Sequence, residues 1–171
     1  HYGQDMETVA ALKQKYDNTI FGKFYVWDLV EASAKCFDPA DRNLGCVSQQ
    51  VHMLQILEGM EADGITDPDM LISGIIHDLA KTLLVPCEKP EYVSCANGIL
   101  GEYEDGIGLD HCVITYSQDE YLYSRLKDHV PDHIAWLVRY HGLPKAGGEH
   151  LFDERDRTYA DRYLYTFAEY D

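Results

Sequence analysis

Apolar residues return every three or four positions along most of the chain, which is the spacing of one face of a helix. Asp67 followed by Pro68 is typical of a helix start, because the aspartate caps free N–H groups and proline fits the first turn. No stretch shows the alternation of a strand. We predict helices over 6–15, 24–35, 48–62, 70–84, 108–127, 131–140 and 153–170.

The sequence predicts one all-α unit over residues 1–171, with a long loop in its second half. Residues 86–105 combine proline, glycine and small side chains without a clear period, so we expect a loop after the apolar helix 70–84. Loops of this length in a compact domain are usually functional. No internal repeat or Gly/Ser-rich linker marks a domain boundary.

The charge of the chain excludes several kinds of partner. It carries 14 Lys and Arg against 30 Asp and Glu, a formal net charge of -16. Such a surface repels phosphate backbones and anionic lipids, so we expect no nucleic-acid or membrane partner. The five cysteines never form a Cys-x-x-Cys pair, which argues against a thiolate zinc site and favours a reducing, cytoplasmic location.

A histidine and an aspartate lie together in the most apolar predicted helix, as His77-Asp78. Carboxylates are seldom buried unless they pair with a cation or bind a metal. His52 on the preceding helix and His141 on a later one would add nitrogen ligands, a set that suits iron, manganese or zinc. The alternative is that both histidines are hydrogen-bonded core residues and that Asp78 pairs with Lys81.

These residues resemble a known family. His77-Asp78 with an upstream histidine is similar to the metal motif of HD-domain proteins. Six ordered blocks resemble myo-inositol oxygenases over nearly the whole chain. They are HMLQILEG at 52–59, GIIHDLAK at 74–81, GIGLD at 106–110, DEYLY at 119–123, VRYH at 138–141 and FAEYD at 167–171.

The resemblance implies an HD-domain helical bundle with two non-haem irons that cleaves a carbon–carbon bond of a polyol with O₂. It assigns the first iron to a set of four ligands: His52, His77, Asp78 and Asp171. Asp78 would bridge to the second iron, which would also bind His141. A monomer that acts on a small molecule is expected.

The resemblance fails at one ligand of the second iron, since Gln118 stands where the family has a histidine. An amide oxygen is a weaker ligand than imidazole. His111, two turns earlier on the predicted helix, is expected to be structural rather than a replacement. Three outcomes stay open: two irons with Gln118 as a poor ligand, one well-held metal, or loss of oxygenase activity.

Further residues are matched to substrate binding. Lys81 fits a lysine that grips the substrate, although it could simply pair with Asp78; Asp38 and Asp41 resemble an acidic pair, although they could cap a solvated loop. Asn97 replaces a family carboxylate and Gly142 a family hydroxyl. Because hydroxyl recognition depends on such groups, these two changes allow a substrate other than myo-inositol. A polyol is expected, either myo-inositol or a related compound.

Two other functions use the same ligands. An HD-type phosphohydrolase would activate water for attack on a phosphate, but this chemistry needs cations around the phosphate. Lys81 and Arg139 are the basic residues close to the motifs, which makes this alternative weaker. A metal-binding homologue without full activity is the third reading. Trp27 and Trp136 are assigned to core packing.

Overall fold

Helices dominate the computed structural model, which describes residues 3–39, 47–89, 97–143 and 147–171. The α-helices are α1 (Met6–Asp17), α2 (Val26–Ala32), α3 (Gln49–Ala62), α4 (Pro68–Ile76), α5 (Lys81–Leu84), α6 (Gln118–Leu126), α7 (Asp132–Tyr140), α8 (Glu154–Tyr159) and α9 (Tyr165–Phe167). Short 3₁₀ helices cover Ser33–Lys35, Leu109–His111 and Glu149–Leu151. The predicted all-α class is confirmed. Among the described residues, no helix is both long and apolar enough to span a membrane.

The largest difference from the predicted elements lies at 108–127. The structure places a 3₁₀ turn at Leu109–His111, then strand β2 (Val113–Ile114), and begins α6 only at Gln118. Strand β2 pairs antiparallel with β1 (Ile99–Leu100), which lies inside the predicted loop. Hence His111 and Gln118 do not share a helix, and the prediction that they do was wrong. Gly108, at a φ of 93°, turns the chain away from helical geometry.

The predicted helix 70–84 is interrupted. Its start is confirmed, because the side chain of Asp67 accepts a hydrogen bond from the N–H of Asp69 and Pro68 opens α4. α4 then ends at Ile76, and hydrogen bonds over three residues connect it to α5, including Lys81 N–H to the Asp78 carbonyl at 3.0 Å. Such 3₁₀-like geometry within a helical region is common at functional sites.

The last predicted helix is also irregular. α8 and α9 are joined by a π-helical segment, Ala160–Leu164. A π-segment inserts extra residues into a helical turn and so changes which side chains face the core. After it, Phe167 is completely buried and its ring lies 5.4 Å from that of His77. The final helix therefore packs directly against the His-Asp pair.

Buried apolar side chains form two neighbouring clusters. In one, residues of α7 such as Trp136 and Tyr140 pack with the C-terminal helices. In the other, α1 packs against α6, and the ring of Tyr16 stacks at 5.7 Å on that of Tyr116, which lies just before α6. α6 packs on α7, and α4 on both α3 and α7. Trp136 is in the core as predicted, whereas Trp27 is 65% exposed, so its assignment to packing was wrong.

Candidate metal centre

Five parts of the chain bring the predicted ligands together. α3 supplies His52, and the turn after α4 supplies His77 and Asp78. His141 caps the C-terminal end of α7, and Gln118 is the first residue of α6. The fifth contribution to the same cluster is Asp171, whose side chain is 11% exposed. The other members are buried.

Two histidines are oriented by backbone carbonyls. Nδ1 of His77 lies 3.0 Å from the Gly74 carbonyl, and Nδ1 of His141 lies 2.9 Å from the Val138 carbonyl. Since a carbonyl only accepts, each Nδ1 carries the proton and each Nε2 offers a lone pair when the ring is neutral. Ligand histidines in metalloproteins are held in this way.

The Nε2 atom of His77 makes no hydrogen bond of normal geometry although it is completely buried. Carboxylate oxygens of Asp78 and Asp171 lie 3.4 and 3.5 Å away. Nε2 of His52 lies 3.3 Å from the same Asp171 oxygen. An unpartnered buried nitrogen next to two carboxylates fits a bound metal ion, which would accept all these lone pairs.

The two oxygens of Asp78 face different neighbours. Oδ2 lies toward His77 and, at 3.9 Å, toward Nε2 of His52. Oδ1 lies 4.0 Å from Nε2 of His141 and accepts a hydrogen bond from Gln118 Nε2 at 2.9 Å. This orientation is the one that a carboxylate between two metal positions needs. The residues therefore fit two ions that share Asp78.

A carboxylate that the sequence analysis did not assign also faces the cluster. Asp119 Oδ1 lies 3.9 Å from Nε2 of His141, and donor atoms of Asp78, Asp119 and His141 all lie within 4.8 Å of one another. Asp119 belongs to the DEYLY block, yet it adjoins the expected ligand position rather than occupying it. The one feature of the sequence that could have indicated Asp119 is that this carboxylate lies beside Gln118.

Lys81 is buried between two carboxylates. Its Nζ lies 2.8 Å from Asp78 Oδ2 and 3.1 Å from Oδ2 of Asp38, which is completely buried. The 3₁₀-like turn places Asp78 and Lys81, three residues apart, on one side of the chain. Burial alone would lower the pKa of Lys81, but the two carboxylates raise it well above its usual value. Lys81 is therefore a fixed positive charge at the edge of the cluster.

The carboxylates and the histidine at the centre have shifted pKa values in the metal-free protein. Burial acts against the charged forms, yet Lys81 and His77 hold the pKa of Asp78 far below its usual range, and His52 and His77 do the same for Asp171. Asp78 and Asp171 in turn raise the pKa of His77 to about 10 against the effect of its burial. A proton on the histidine thus balances the carboxylates when no metal does.

The remaining predicted residues have different surroundings. Asn97 is completely buried: its Nδ2 donates to Asp119 Oδ2 and to the Arg139 carbonyl, both at 2.8 Å, and its Oδ1 accepts from Ser117 at 2.7 Å. These bonds support a positioning role for Asn97. Gly142 follows His141 in a buried turn. Asp41 lies outside the described residues.

Comparison with known proteins identifies the family. The family model described as myo-inositol oxygenase matches residues 1–98 and 87–171. A probable inositol oxygenase of Oryza sativa subsp. japonica is 27% identical over 211 residues, covering 100% of this chain and 68% of that protein. Inositol oxygenase 1 of Arabidopsis thaliana is 26% identical, covering 100% of this chain and 67% of that protein.

The family match and the site geometry concern the same parts of the chain. The match extends over the whole sequence, and it includes every element that contributes to the histidine and aspartate cluster. The chain spans about two thirds of the length of these relatives. It belongs to the myo-inositol oxygenase family.

Proposed function

We propose that this protein is an iron-dependent oxygenase that uses O₂ to cleave a carbon–carbon bond of myo-inositol or a related polyol. The observation that carries the proposal is the buried convergence of three histidines with Asp78 and Asp171 in a chain of this family. The donor atoms are nitrogen and oxygen without sulfur, which suits iron. The names of the relatives in rice and Arabidopsis supply the reaction class.

In this proposal His52, His77, Asp78 and Asp171 would hold the first iron. His141 and Asp78 would hold the second. Bound iron would supply the activation of O₂ and the oxidation of the polyol. The protein would contribute buried carboxylates and histidines that are already oriented by Gly74 and Val138.

Lys81 would hold the substrate by its charge. Its ammonium lies beside the bridging carboxylate, so a substrate hydroxyl that lost its proton there would gain a cationic partner. Asp38, which forms an ion pair with Lys81, keeps the ammonium at the cluster. Roles for Asp41, Asn97 and Gly142 in recognising substrate hydroxyls stay predictions, and the buried bonds of Asn97 favour an indirect role.

The charge around the cluster supports a neutral substrate over a phosphate ester. Within the described part of the chain, Lys81 is the basic residue at the cluster, and it is shared between two carboxylates, so it could stabilise one deprotonated hydroxyl but not a multiply charged phosphate. Arg139 pairs instead with Glu120 and Asp110. A phosphate would find no free cation among these residues, and the net charge of -16 would repel it.

The proposal is tested by loading the metal-free protein with Fe²⁺ under anaerobic conditions and then adding ¹⁸O₂ with myo-inositol. We expect O₂ consumption that depends on the polyol and a ring-opened product that carries ¹⁸O, detected by mass spectrometry. A panel of phosphate esters is incubated in parallel. Phosphate release without polyol oxidation would indicate a phosphohydrolase, and iron binding without either reaction would indicate a non-catalytic homologue; both results contradict the proposal.

A further inference from the structure

We infer that Asp119 completes the second metal position in place of the missing histidine, and that Gln118 serves as a hydrogen-bond donor rather than as a ligand. The inference deepens the proposed function and rests on it for the existence of a second ion. It concerns the group formed by Asp78, Asp119 and His141. Its chemical consequence is a binding site with two carboxylates and one imidazole.

The amide of Gln118 is turned the wrong way for a ligand. Its Nε2 faces three oxygens: the His77 carbonyl at 3.1 Å, Asp78 Oδ1 at 2.9 Å and, more closely still, Asp119 Oδ1. An amide NH₂ group has two hydrogens to donate and no lone pair for a metal. Rotating the amide by 180° would set its oxygen against three acceptors, which is unfavourable. The hydrogen-bond network therefore fixes Gln118 as a donor.

The carboxylate of Asp119 is held as metal-binding carboxylates are held. Asn97 donates to Oδ2 at 2.8 Å, and Asn97 is itself fixed by Ser117 and by the Arg139 carbonyl. Oδ1 faces His141 and Asp78 and accepts a hydrogen bond from Gln118. Hydrogen bonds of this kind orient a ligand, and a carboxylate oxygen that accepts one of them keeps a second lone pair for the ion.

The separations between the donor atoms fit one ion. Ligand atoms about 2.1 Å from a metal lie roughly 3 to 4.2 Å apart, depending on the bond angle. Nε2 of His141 lies 3.9 Å from Asp119 Oδ1 and 4.0 Å from Asp78 Oδ1. All three donor atoms lie within 4.8 Å of one another.

Two further observations show that the metal-free arrangement is incomplete. Nε2 of His77, on the other side of Asp78, is buried without a hydrogen-bond partner. Among the described residues, Asp119 has one ion-pair partner, His141, and that contact is long. Two carboxylates buried side by side are costly unless a cation lies between them.

The donor set also indicates which ions the position takes. An anionic carboxylate in place of a neutral imidazole makes the position more negative and richer in oxygen. Carboxylate ligands favour hard ions such as Mn²⁺, while the imidazole of His141 keeps the position suitable for Fe²⁺. We therefore expect the second position to accept Fe²⁺ or Mn²⁺ and to discriminate little between them.

The test counts metal ions rather than turnovers. The metal-free protein is titrated anaerobically with Fe²⁺, freed of unbound metal by gel filtration and analysed for iron per chain. The titration is then repeated with Mn²⁺, and EPR spectroscopy detects whether two bound Mn²⁺ ions are magnetically coupled. We expect two ions for the unchanged protein. Asp119→Asn should reduce the count to one and abolish the coupled signal, because an amide oxygen is a weaker ligand.

Three variants control for other effects of the change. Gln118→Ala should keep two ions, since Gln118 only orients Asp119, although weaker binding of about 10–100-fold is expected on losing its hydrogen bonds. Glu120→Gln alters a neighbouring carboxylate of similar burial that faces Arg139, and it should keep two ions. Combining Gln118→His with Asp119→Asn should restore the second ion, which shows that the chain still folds.

The inference is overturned if Gln118→Ala loses the second ion while Asp119→Asn keeps it, because Gln118 would then be the ligand. One ion or fewer in the unchanged protein also overturns it, as does a combined variant that stays at one ion. Two ions bound through Asp119 without polyol oxidation would leave the inference intact and contradict only the proposed function. The two failures are therefore distinguishable.

Discussion

Individual side chains at the centre depend on partners that are distant in sequence. Lys81 and Asp78 lie three residues apart, so their contact could be predicted from helical spacing. The contact of Lys81 with the completely buried Asp38 could not, since it needs the chain before α3 to fold back onto the turn after α4. A resemblance to the family marked both residues, but only the structure showed one ammonium between two carboxylates.

The first prediction concerns this buried ammonium. Lys81→Met should lower the free energy of unfolding of the metal-free protein by about 3 kcal/mol, because it removes the cation between two buried carboxylates. Urea denaturation followed by circular dichroism measures the change. Iron-dependent polyol oxidation should be lost as well.

A surface lysine provides the matched control. Lys15 pairs with Glu88 at 2.6 Å, yet its side chain is 53% exposed. Lys15→Met should therefore cost less than about 1 kcal/mol. Equal costs for the two variants would show that the buried position of Lys81 adds nothing to stability.

At the scale of elements, local signals predicted where helices start better than where they are interrupted. Asp67 and Pro68 marked the start of α4, but nothing marked the break after Ile76, because Leu79, Ala80, Leu83 and Leu84 continue the apolar spacing beyond it. The break arises from tertiary contacts of His77 and Asp78. A second interruption lies at Gly108, whose positive φ separates the 3₁₀ turn from the preceding loop.

The second prediction tests the turn at Gly108. A Cβ atom there would lie 2.7 Å from Asp153 Oδ2, and Asp153 caps α8 through the N–H of Asp156. Gly108→Ala should cost roughly 2–4 kcal/mol, since it combines a strained φ with the loss of this cap. Thermal denaturation of the metal-free protein measures the effect.

Gly64 separates the strain from the clash. It also has a positive φ, of 78°, but no atom lies within 4 Å of a Cβ added there. We expect Gly64→Ala to cost only about 1 kcal/mol, the penalty of the backbone conformation alone. If the two variants melt at the same temperature, the contact with Asp153 is without consequence.

For the whole molecule, the burial of so many charges links stability to pH and to metal. The carboxylates of the cluster need positive partners, which are Lys81, a protonated histidine or a metal ion. The turn after α4, α6, α7 and the C-terminal residue are thus joined through electrostatics as well as packing. Removing the positive charge should destabilise these four parts of the fold together.

The third prediction follows from the pKa of His77, which the fold raises from 6.5 to about 10. A raised pKa stabilises the fold fully below the unfolded value, and this contribution is lost as pH rises through the folded value. The metal-free protein should therefore lose stability between about pH 6.5 and 10, at up to ~1.4 kcal/mol per pH unit. Urea denaturation across this range measures the slope.

A variant that cannot titrate checks the assignment to His77. His77→Gln keeps a polar side chain at the position but carries no proton that ionises in this range. Its pH slope should be flatter than that of the unchanged protein. An unchanged slope in the variant would assign the pH dependence to other groups.

The fourth prediction concerns metal removal. A metal binds the folded cluster and finds no such site in the unfolded chain, so it stabilises the fold by mass action. Free Fe²⁺ at about a thousand times its dissociation constant should add ~4 kcal/mol. Chelation should lower the melting temperature accordingly. Because bound metal replaces the proton on His77, this stabilisation should be larger at pH 8 than at pH 6; the reverse order would contradict the ligand set.

The sequence by itself determined the helical class, the start of α4 and the residues in which chemistry is concentrated. Helical periodicity and capping are local, and His77-Asp78 in an apolar segment is unusual enough to indicate a site. Even the departure at Gln118 was readable, because it immediately precedes the ordered block DEYLY at 119–123. These features need no knowledge of which segments meet.

Only the tertiary structure decided which way the side chain of Gln118, which replaces the family histidine, is turned. Whether Gln118 points an oxygen or an NH₂ group at the cluster depends on Asp78, Asp119 and the His77 carbonyl, which come from two separate elements. The orientation of Asp119 depends in turn on Asn97, 22 residues away. Burial and hydrogen bonding between distant segments set these directions, and no local pattern in the sequence encodes them.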